Sequence, residues 1–168
     1  MMNVRKMVLS SLFASLMAVC AWISIPVPPI SVTLQTFGVL MALGILGGKW
    51  GTVSIGLYLA MGVAGLPVFA GFRGGASALL DASGGFLWGF LAGGLVYWAV
   101  ERLGKLLAFV LCQLICYICG CLWFSVWAGN AGIGAAVLAC VVPYVVPDGL
   151  KLWLALQLSG RIARQLKW

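Results

Sequence analysis

The sequence predicts an all-α integral membrane protein, a single domain of six transmembrane helices over residues 1–168. Of the 168 residues, 64% are hydrophobic and only 8% are charged, whereas a soluble domain carries about 25% charged residues. The mean hydropathy is +1.15. Apolar runs recur along the sequence, and a helix needs about 17–25 such residues to cross the hydrocarbon core. The length leaves no room for a separate soluble catalytic domain.

Proline and glycine breaks divide the apolar sequence into the expected helices. The first, residues 7–25, ends at Pro26-Val27-Pro28-Pro29, because proline cannot continue the helical hydrogen-bond ladder. We interpret it as a retained helix, since no signal-peptide cleavage site follows it. The other expected spans are residues 32–47, 52–66, 84–100, 106–127 and 147 to about 164, with a Gly-rich loop over 68–83 and a loop containing a short apolar helix over 129–142.

The distribution of basic residues predicts the orientation. Six spans place both termini on one side, and eight basic residues fall on that side, whereas only Arg73 falls in an opposite loop. Cytoplasmic loops are enriched in Lys and Arg, so we expect both termini to be cytoplasmic, in a multi-pass protein of the cytoplasmic (inner) membrane. The net charge of +7 then reflects topology and contacts with membrane phospholipids rather than nucleic-acid binding. The eight residues are Arg5, Lys6, Lys49, Arg102, Lys105, Arg161, Arg164 and Lys167.

Polar side chains from four regions of the sequence meet at the outer face of this arrangement. The most informative are Asp148 and Lys151, which share one helix face because they are three residues apart. An ionisable pair at membrane depth is costly and marks a functional site by default, although a purely structural ion pair is the alternative. We therefore predict an outward-facing pocket for a small polar solute under the Gly-rich loop. The candidate substrate-binding residues are Thr33, Gln35, Phe72, Arg73, Asp81, Ser83, Gly85, Phe86, Tyr144, Asp148 and Lys151.

The composition argues against an enzyme and against a metal or cofactor site. There is no histidine and only three carboxylates, Asp81, Glu101 and Asp148, are present, so clustered acids and bases for metal binding or proton transfer are missing. Cys116 and Cys119 have the spacing of a metal or redox motif, but no second ligand pair follows, and packing between helices is the simpler interpretation. A channel or structural subunit is a further alternative. It is disfavoured because the cytoplasmic halves of the predicted helices are almost wholly apolar.

Two stripes of small residues lie next to each other on the first helix, Ala14-x-x-x-Ala18 and Ser11-x-x-x-Ser15. Small residues four apart allow helices to approach closely. The pattern is equally compatible with contacts to a partner subunit and with packing inside the chain.

Four motifs, taken in order, make the sequence similar to the BioY family, the biotin-binding S-components of energy-coupling factor (ECF) transporters. They span nearly the whole chain. The motifs are Pro29-Ile30-Ser31-Val32-Thr33-Leu34-Gln35-Thr36, Gly62-Val63-Ala64-Gly65-Leu66-Pro67-Val68-Phe69, Gly84-Gly85-Phe86-Leu87-Trp88-Gly89-Phe90 and Pro143-Tyr144-Val145-Val146-Pro147-Asp148-Gly149-Leu150-Lys151.

The resemblance implies a six-helix protein with a biotin site near the outer surface. It also implies a transmembrane coupling subunit and two ATP-binding-cassette ATPases as partners, with Ala14 and Ala18 of the first helix facing the coupling subunit. Biotin offers a ureido ring and a carboxylate tail. We expect Asp148 to accept from a ureido N–H, Lys151 to donate to the ureido carbonyl or the carboxylate, and Gln35 and the backbone of residues 71–85 to complete the site. Another small vitamin-like carboxylate is the alternative ligand.

The sequence departs from the family pattern in one place. The family usually reads Gly-Pro-Thr-Gly-Gly before the fourth helix, whereas this chain reads Asp81-Ala82-Ser83-Gly84-Gly85. Ser83 keeps a hydroxyl group, but Ala82 lacks the rigidity of proline and Asp81 adds a charge. We therefore expect the loop geometry, and with it the affinity for ligand, to differ from the family pattern here.

Overall fold

Helices account for most of the chain in the computed structural model, which describes residues 4–27, 30–129 and 132–165. Pro28, Pro29 and Lys167, named above, lie outside the described residues. The helices are α1 (Val4–Trp22), α2 (Gln35–Val63), α3 (Ser77–Leu80), α4 (Gly84–Val100), α5 (Lys105–Trp127), α6 (Ile133–Cys140) and α7 (Val142–Gln165), with 3₁₀ turns at Ala70–Phe72 and Glu101–Leu103. Two short strands, β1 (Ser24–Ile25) and β2 (Val32–Thr33), pair antiparallel between α1 and α2.

Helix α2 reverses direction in its middle. Gly47 has φ 79° and ψ 170°, which is not helical. A Cβ placed on Gly51 would lie 2.7 Å from the Cα of Leu43, whereas residues eight apart in a straight helix are separated by about 12 Å along the axis. The chain therefore folds back at the glycine break that the sequence predicts, and α2 consists of two antiparallel arms, residues 35–46 and 48–63.

Two side chains from the α4–α5 connection hold this reversal. Glu101 accepts a hydrogen bond from the backbone N–H of Gly48 through Oε2, at 2.6 Å. Lys105 donates through Nζ to the carbonyl oxygen of Gly44, at 2.7 Å. A carboxylate at the start of one arm and a cation near the end of the other both complement the helix dipoles.

Three of the described helices are long and apolar enough to cross a membrane by length and composition, namely Val4–Trp22, Lys105–Trp127 and, when its two arms are counted together, Gln35–Val63. The pair Ile133–Cys140 and Val142–Gln165 makes a fourth if its 46° bend lies within one span. The sequence placed the start of the last helix at Pro147, which is wrong, because α7 begins at Val142 and contains Pro147 in its interior. Helix α1 ends at Trp22, before the predicted proline break, because the chain enters β1 there.

The structure contradicts the prediction that Ala14 and Ala18 face a partner. Their exposed fractions are 1% and 5%, and both belong to the main core, where α1 packs against α2. The neighbouring stripe of Ser11 and Ser15 is exposed. Each of these hydroxyl groups donates to a carbonyl one turn earlier in α1, so the polar groups are satisfied within the helix.

Candidate ligand-binding pocket

A cavity of about 360 Å³ lies among α2, the loop before α3, α4, α5 and α7. Pockets for small molecules typically enclose about 300–1,000 Å³. Nine of the eleven predicted site residues line it, although they come from distant parts of the sequence. They are Thr33, Gln35, Arg73, Asp81, Ser83, Phe86, Tyr144, Asp148 and Lys151.

The deepest charged groups of the pocket form a buried ion pair. Lys151 Nζ lies 2.8 Å from Asp148 Oδ1, and the two residues are only 9% and 5% exposed. Lys151 also donates to the carbonyl oxygen of Thr33 at 2.7 Å. A lysine ammonium has three protons to donate, so one remains for a group inside the cavity.

Asp148 is the centre of a network that joins three helices. Besides Lys151, its Oδ1 accepts from the hydroxyl of Thr36 in α2 at 3.2 Å. Its Oδ2 accepts from the hydroxyl of Tyr117 at 2.8 Å and from the amide of Gln113 at 3.1 Å, both in α5. A carboxylate has about four acceptor positions, and these four donors use them all.

Gln113 and Tyr117 were missed by the sequence analysis. They are four residues apart and so share a face of α5. A glutamine in the middle of an otherwise apolar helix was the available signal, because polar groups inside a membrane face the protein interior. Periodicity alone could not show that this face meets Asp148.

Gln35 also lines the pocket and belongs to a second chain of hydrogen bonds. Its Nε2 donates to the hydroxyl of Tyr58 at 2.9 Å, and Tyr58 donates in turn to the carbonyl of Val68 at 3.0 Å. Among the described residues, no hydrogen bond uses the Gln35 side-chain oxygen. This oxygen is therefore an acceptor that the pocket can offer to a ligand.

The mouth of the pocket carries a second, half-exposed ion pair. Arg73, in the loop before α3, donates to the carboxylate of Asp81. Its other nitrogens donate to the hydroxyl of Ser83 at 3.2 Å and to the carbonyl of Ala70 at 3.1 Å. The backbone carbonyl of Asp81 accepts from the indole N–H of Trp123 at 2.9 Å. Arg73 thus connects the Gly-rich loop to the residues that begin α4.

Aromatic side chains supply the apolar part of the lining. Phe86 belongs to the lining, and its ring packs so closely on α5 that a Cβ on Gly120 would lie 2.4 Å from it. Tyr144 is buried and donates its hydroxyl proton to the carbonyl of Ile30. Phe69, Phe90 and Trp127 also line the cavity.

Two predicted site residues, Phe72 and Gly85, lie outside the lining. Phe72 is 63% exposed and stacks on Trp22 with ring centroids 5.1 Å apart, so it points away from the pocket. Gly85 is buried against α5, where an added Cβ would lie 2.2 Å from the Cβ of Trp123. Its role is to let α4 and α5 approach each other.

The fold and the site define a helical membrane protein that encloses a polar, charge-lined pocket for a small molecule. The sequence profile of the BioY family matches residues 1–168. The chain belongs to the BioY family.

Two relatives match the chain over nearly their whole length. The chain is 33% identical to the biotin transporter BioY of Thermotoga maritima, over 95% of this chain and 96% of that protein. It is also 33% identical to the probable biotin transporter BioY of Pyrococcus horikoshii, over 96% and 98% of the two chains. A crystal structure of the S-component for biotin from an ECF-type ABC transporter superposes with a TM-score of 0.89 at 25% identity, covering 98% of this chain and 95% of the other.

Proposed function

We propose that this chain captures biotin and mediates its uptake across the cytoplasmic membrane as the substrate-binding subunit of an ECF transporter. Relatives that match nearly its full length are named biotin transporters, and the similar solved structure is a biotin S-component. The observation that carries the proposal is the buried Asp148–Lys151 pair at the deep end of a cavity of about 360 Å³. The pocket binds a solute rather than performing chemistry on it.

The deep end of the pocket suits a ureido ring, which has two N–H donors and one carbonyl acceptor. The free proton of Lys151 donates to the ureido carbonyl. The oxygen of Gln35 accepts from one ureido N–H. For Asp148 to accept from the other, one of its four present donors leaves, and the Thr36 hydroxyl, at 3.2 Å, makes the longest of those contacts. Because one donor arrives as another leaves, the buried carboxylate keeps four partners. The group that gives up its acceptor is the hydroxyl of Thr36, a residue that is only partly buried.

The remaining predicted residues form the rest of the site. The carbonyl of Thr33 holds Lys151 in place, while Phe86 and Tyr144 cover the apolar ring and chain of the ligand. Arg73, Asp81 and Ser83 lie at the mouth, where the carboxylate tail ends.

The proposed topology has six crossings, made by α1, the two arms of α2, α4, α5 and α7, with both termini in the cytoplasm. The reversal at Gly47, together with Lys49, Arg102 and Lys105, then lies on the cytoplasmic side, as the enrichment of basic residues in cytoplasmic loops requires. The pocket opens outward, at the opposite ends of the same helices.

The proposed partners are a transmembrane coupling subunit and two ATP-binding-cassette ATPases, which hydrolyse the ATP. Ala14 and Ala18 are buried in the core of this chain, which makes them a poorer surface for a partner. The exposed face of α1 that contains Ser11 and Ser15 is the better surface for the coupling subunit, because small residues allow close helix approach.

Calorimetric titration of the purified chain in detergent tests the proposed ligand. Biotin is compared with dethiobiotin and with vitamins that lack a ureido ring, such as riboflavin and thiamine. We expect saturable one-to-one binding of biotin and much weaker binding of the vitamins without the ureido group. Tighter binding of another vitamin-like carboxylate, or no binding of biotin, would refute the proposal.

A further inference from the structure

We propose that Asp81 is a specificity-determining residue, which neutralises Arg73 at the pocket mouth and thereby weakens the preference of the site for a charged carboxylate tail. The inference rests on the proposed function, since it concerns the tail of the same ligand. It starts from the Arg73–Asp81 ion pair and from the position of both residues in the pocket lining.

The charges that line the pocket cancel. Among the residues that the structure describes, four ionised side chains contribute to the lining, two basic and two acidic, and each base is paired with one acid. The inner pair, Asp148 and Lys151, is almost fully buried, whereas the side chains of Arg73 and Asp81 are 45% and 38% exposed. A carboxylate loses much of its hydration free energy when it is buried. The tail of the ligand is therefore stabilised best at the half-exposed mouth, with the uncharged ureido ring at the buried end.

Arg73 is the cation available to such a tail, but Asp81 already occupies it. A guanidinium binds carboxylates through parallel N–H donors, and Arg73 directs one of these donors to Asp81 and another to Ser83. An arriving carboxylate must compete with Asp81 for the guanidinium or remain close to a second negative charge. A ligand with a neutral amide tail meets neither cost.

The space beyond the ion pair supports this interpretation. A second, open recess of about 480 Å³ shares Arg73, Ala78, Asp81 and Trp127 with the main cavity and is otherwise lined by Gly74, Ser77 and Leu80. The ion pair thus forms part of the wall between the pocket and this recess. A tail that reaches the mouth meets Arg73 and Asp81 with open space beyond them.

The substitution Asp81→Asn removes the negative charge of this side chain and keeps its shape. The asparagine oxygen can still accept from the backbone N–H of Ala82, a contact that Asp81 makes at 2.7 Å, and the backbone carbonyl remains for Trp123. Half-exposed ion pairs contribute little to folding stability, so we expect the variant to fold. The measurement is the dissociation constant of biotin and of biotin amide, its uncharged isostere, for each variant by calorimetry.

In Asp81→Asn, the dissociation constant of the amide divided by that of the acid should rise about tenfold, because the carboxylate tail gains a hydrogen bond from the guanidinium N–H that Asp81 no longer occupies. In Arg73→Gln, which leaves Asp81 unpaired, the ratio should fall by about the same factor. The double variant should return to the wild-type ratio. The affinity of Asp81→Asn for the amide should change little. This measurement distinguishes an effect of charge from damage to the loop, because a damaged loop would weaken the binding of both ligands.

An unchanged ratio in Asp81→Asn, whether both affinities stay constant or fall together, would overturn the proposal. Should that variant fail to fold, an unchanged or increased ratio in Arg73→Gln would overturn it equally. Failure of the proposed function has a different signature, because the wild-type protein would then bind neither biotin nor its amide.

Discussion

Replacing both members of the Asp148–Lys151 pair separates a role in binding from a role in folding. In the single variant Asp148→Asn, the ammonium of Lys151 stays buried without its counter-ion. Removing one partner of a buried ion pair costs about 3–5 kcal/mol. In the double variant Asp148→Asn/Lys151→Met, no buried charge is left, and uncharged replacements of such pairs are often neutral for stability. We therefore expect the double variant to recover most of the stability that the single variant loses.

In the double variant, biotin binding should stay weak even though the stability recovers. The double variant lacks the donor of Lys151 and the ionised acceptor of Asp148. A hydrogen bond to a charged group contributes about 1.5–3 kcal/mol, so the loss of two such bonds weakens binding by about 100-fold or more. The dissociation constant is measured by calorimetric titration, and stability by thermal unfolding in the same detergent without ligand.

Glu101→Gln is the matched control, since it removes a carboxylate at the far end of the protein while keeping an acceptor for the backbone of Gly48. It should bind biotin with wild-type affinity. The reasoning is refuted if the stable double variant also binds biotin with near-native affinity, because the pair would then be structural only.

Three further predictions concern the scaffold and the partner surface. Gly62→Ala should weaken biotin binding and destabilise the protein by about 1–3 kcal/mol, because the new Cβ would lie 2.0 Å from the ring of Phe69. The control is Gly56→Ala, whose Cβ would have no atom within 4 Å and which should change neither the dissociation constant of biotin nor the stability. Gly47→Ala should lower the free energy of unfolding by about 1–3 kcal/mol, since φ 79° and ψ 170° suit only glycine. Its affinity for biotin should stay constant, and an unchanged melting temperature would contradict the prediction. Ser11→Trp should abolish co-purification with the coupling subunit while leaving biotin affinity intact, and retained co-purification would exclude this face of α1.

The sequence predicted those features that depend on local pattern. Apolar runs and the glycine break at Gly47 marked the helical segments, and the three-residue spacing of Asp148 and Lys151 put both groups on one face. Features that depend on helix rotation were not predictable in this way. The stripes of Ala14 and Ser11 are chemically alike, and only the packing of α1 on α2 decides which is buried.

Contacts between residues that are separated by a loop could not be predicted from the local pattern either. Arg73 and Asp81 were each expected at the site, but their mutual pairing depends on the path of the loop. Phe72 was expected to face the ligand, yet the positive φ of 58° at this residue accompanies a turn that directs its ring outward onto Trp22. Side-chain direction in a glycine-rich turn follows the backbone conformation, which residue type alone does not determine.

The contacts of Trp22 connect the end of α1 to the segment before α3, which lines the pocket. Its ring stacks on Phe72, and its indole N–H donates to the carbonyl of Pro67 at 2.8 Å, so both ends of the segment before α3 are attached to the last residue of α1. This segment contributes Phe69 and Arg73 to the pocket lining. A movement of this segment would have to break these two contacts or displace the end of α1. If the coupling subunit docks on α1, as proposed above, it would be connected through Trp22 to the entrance of the pocket.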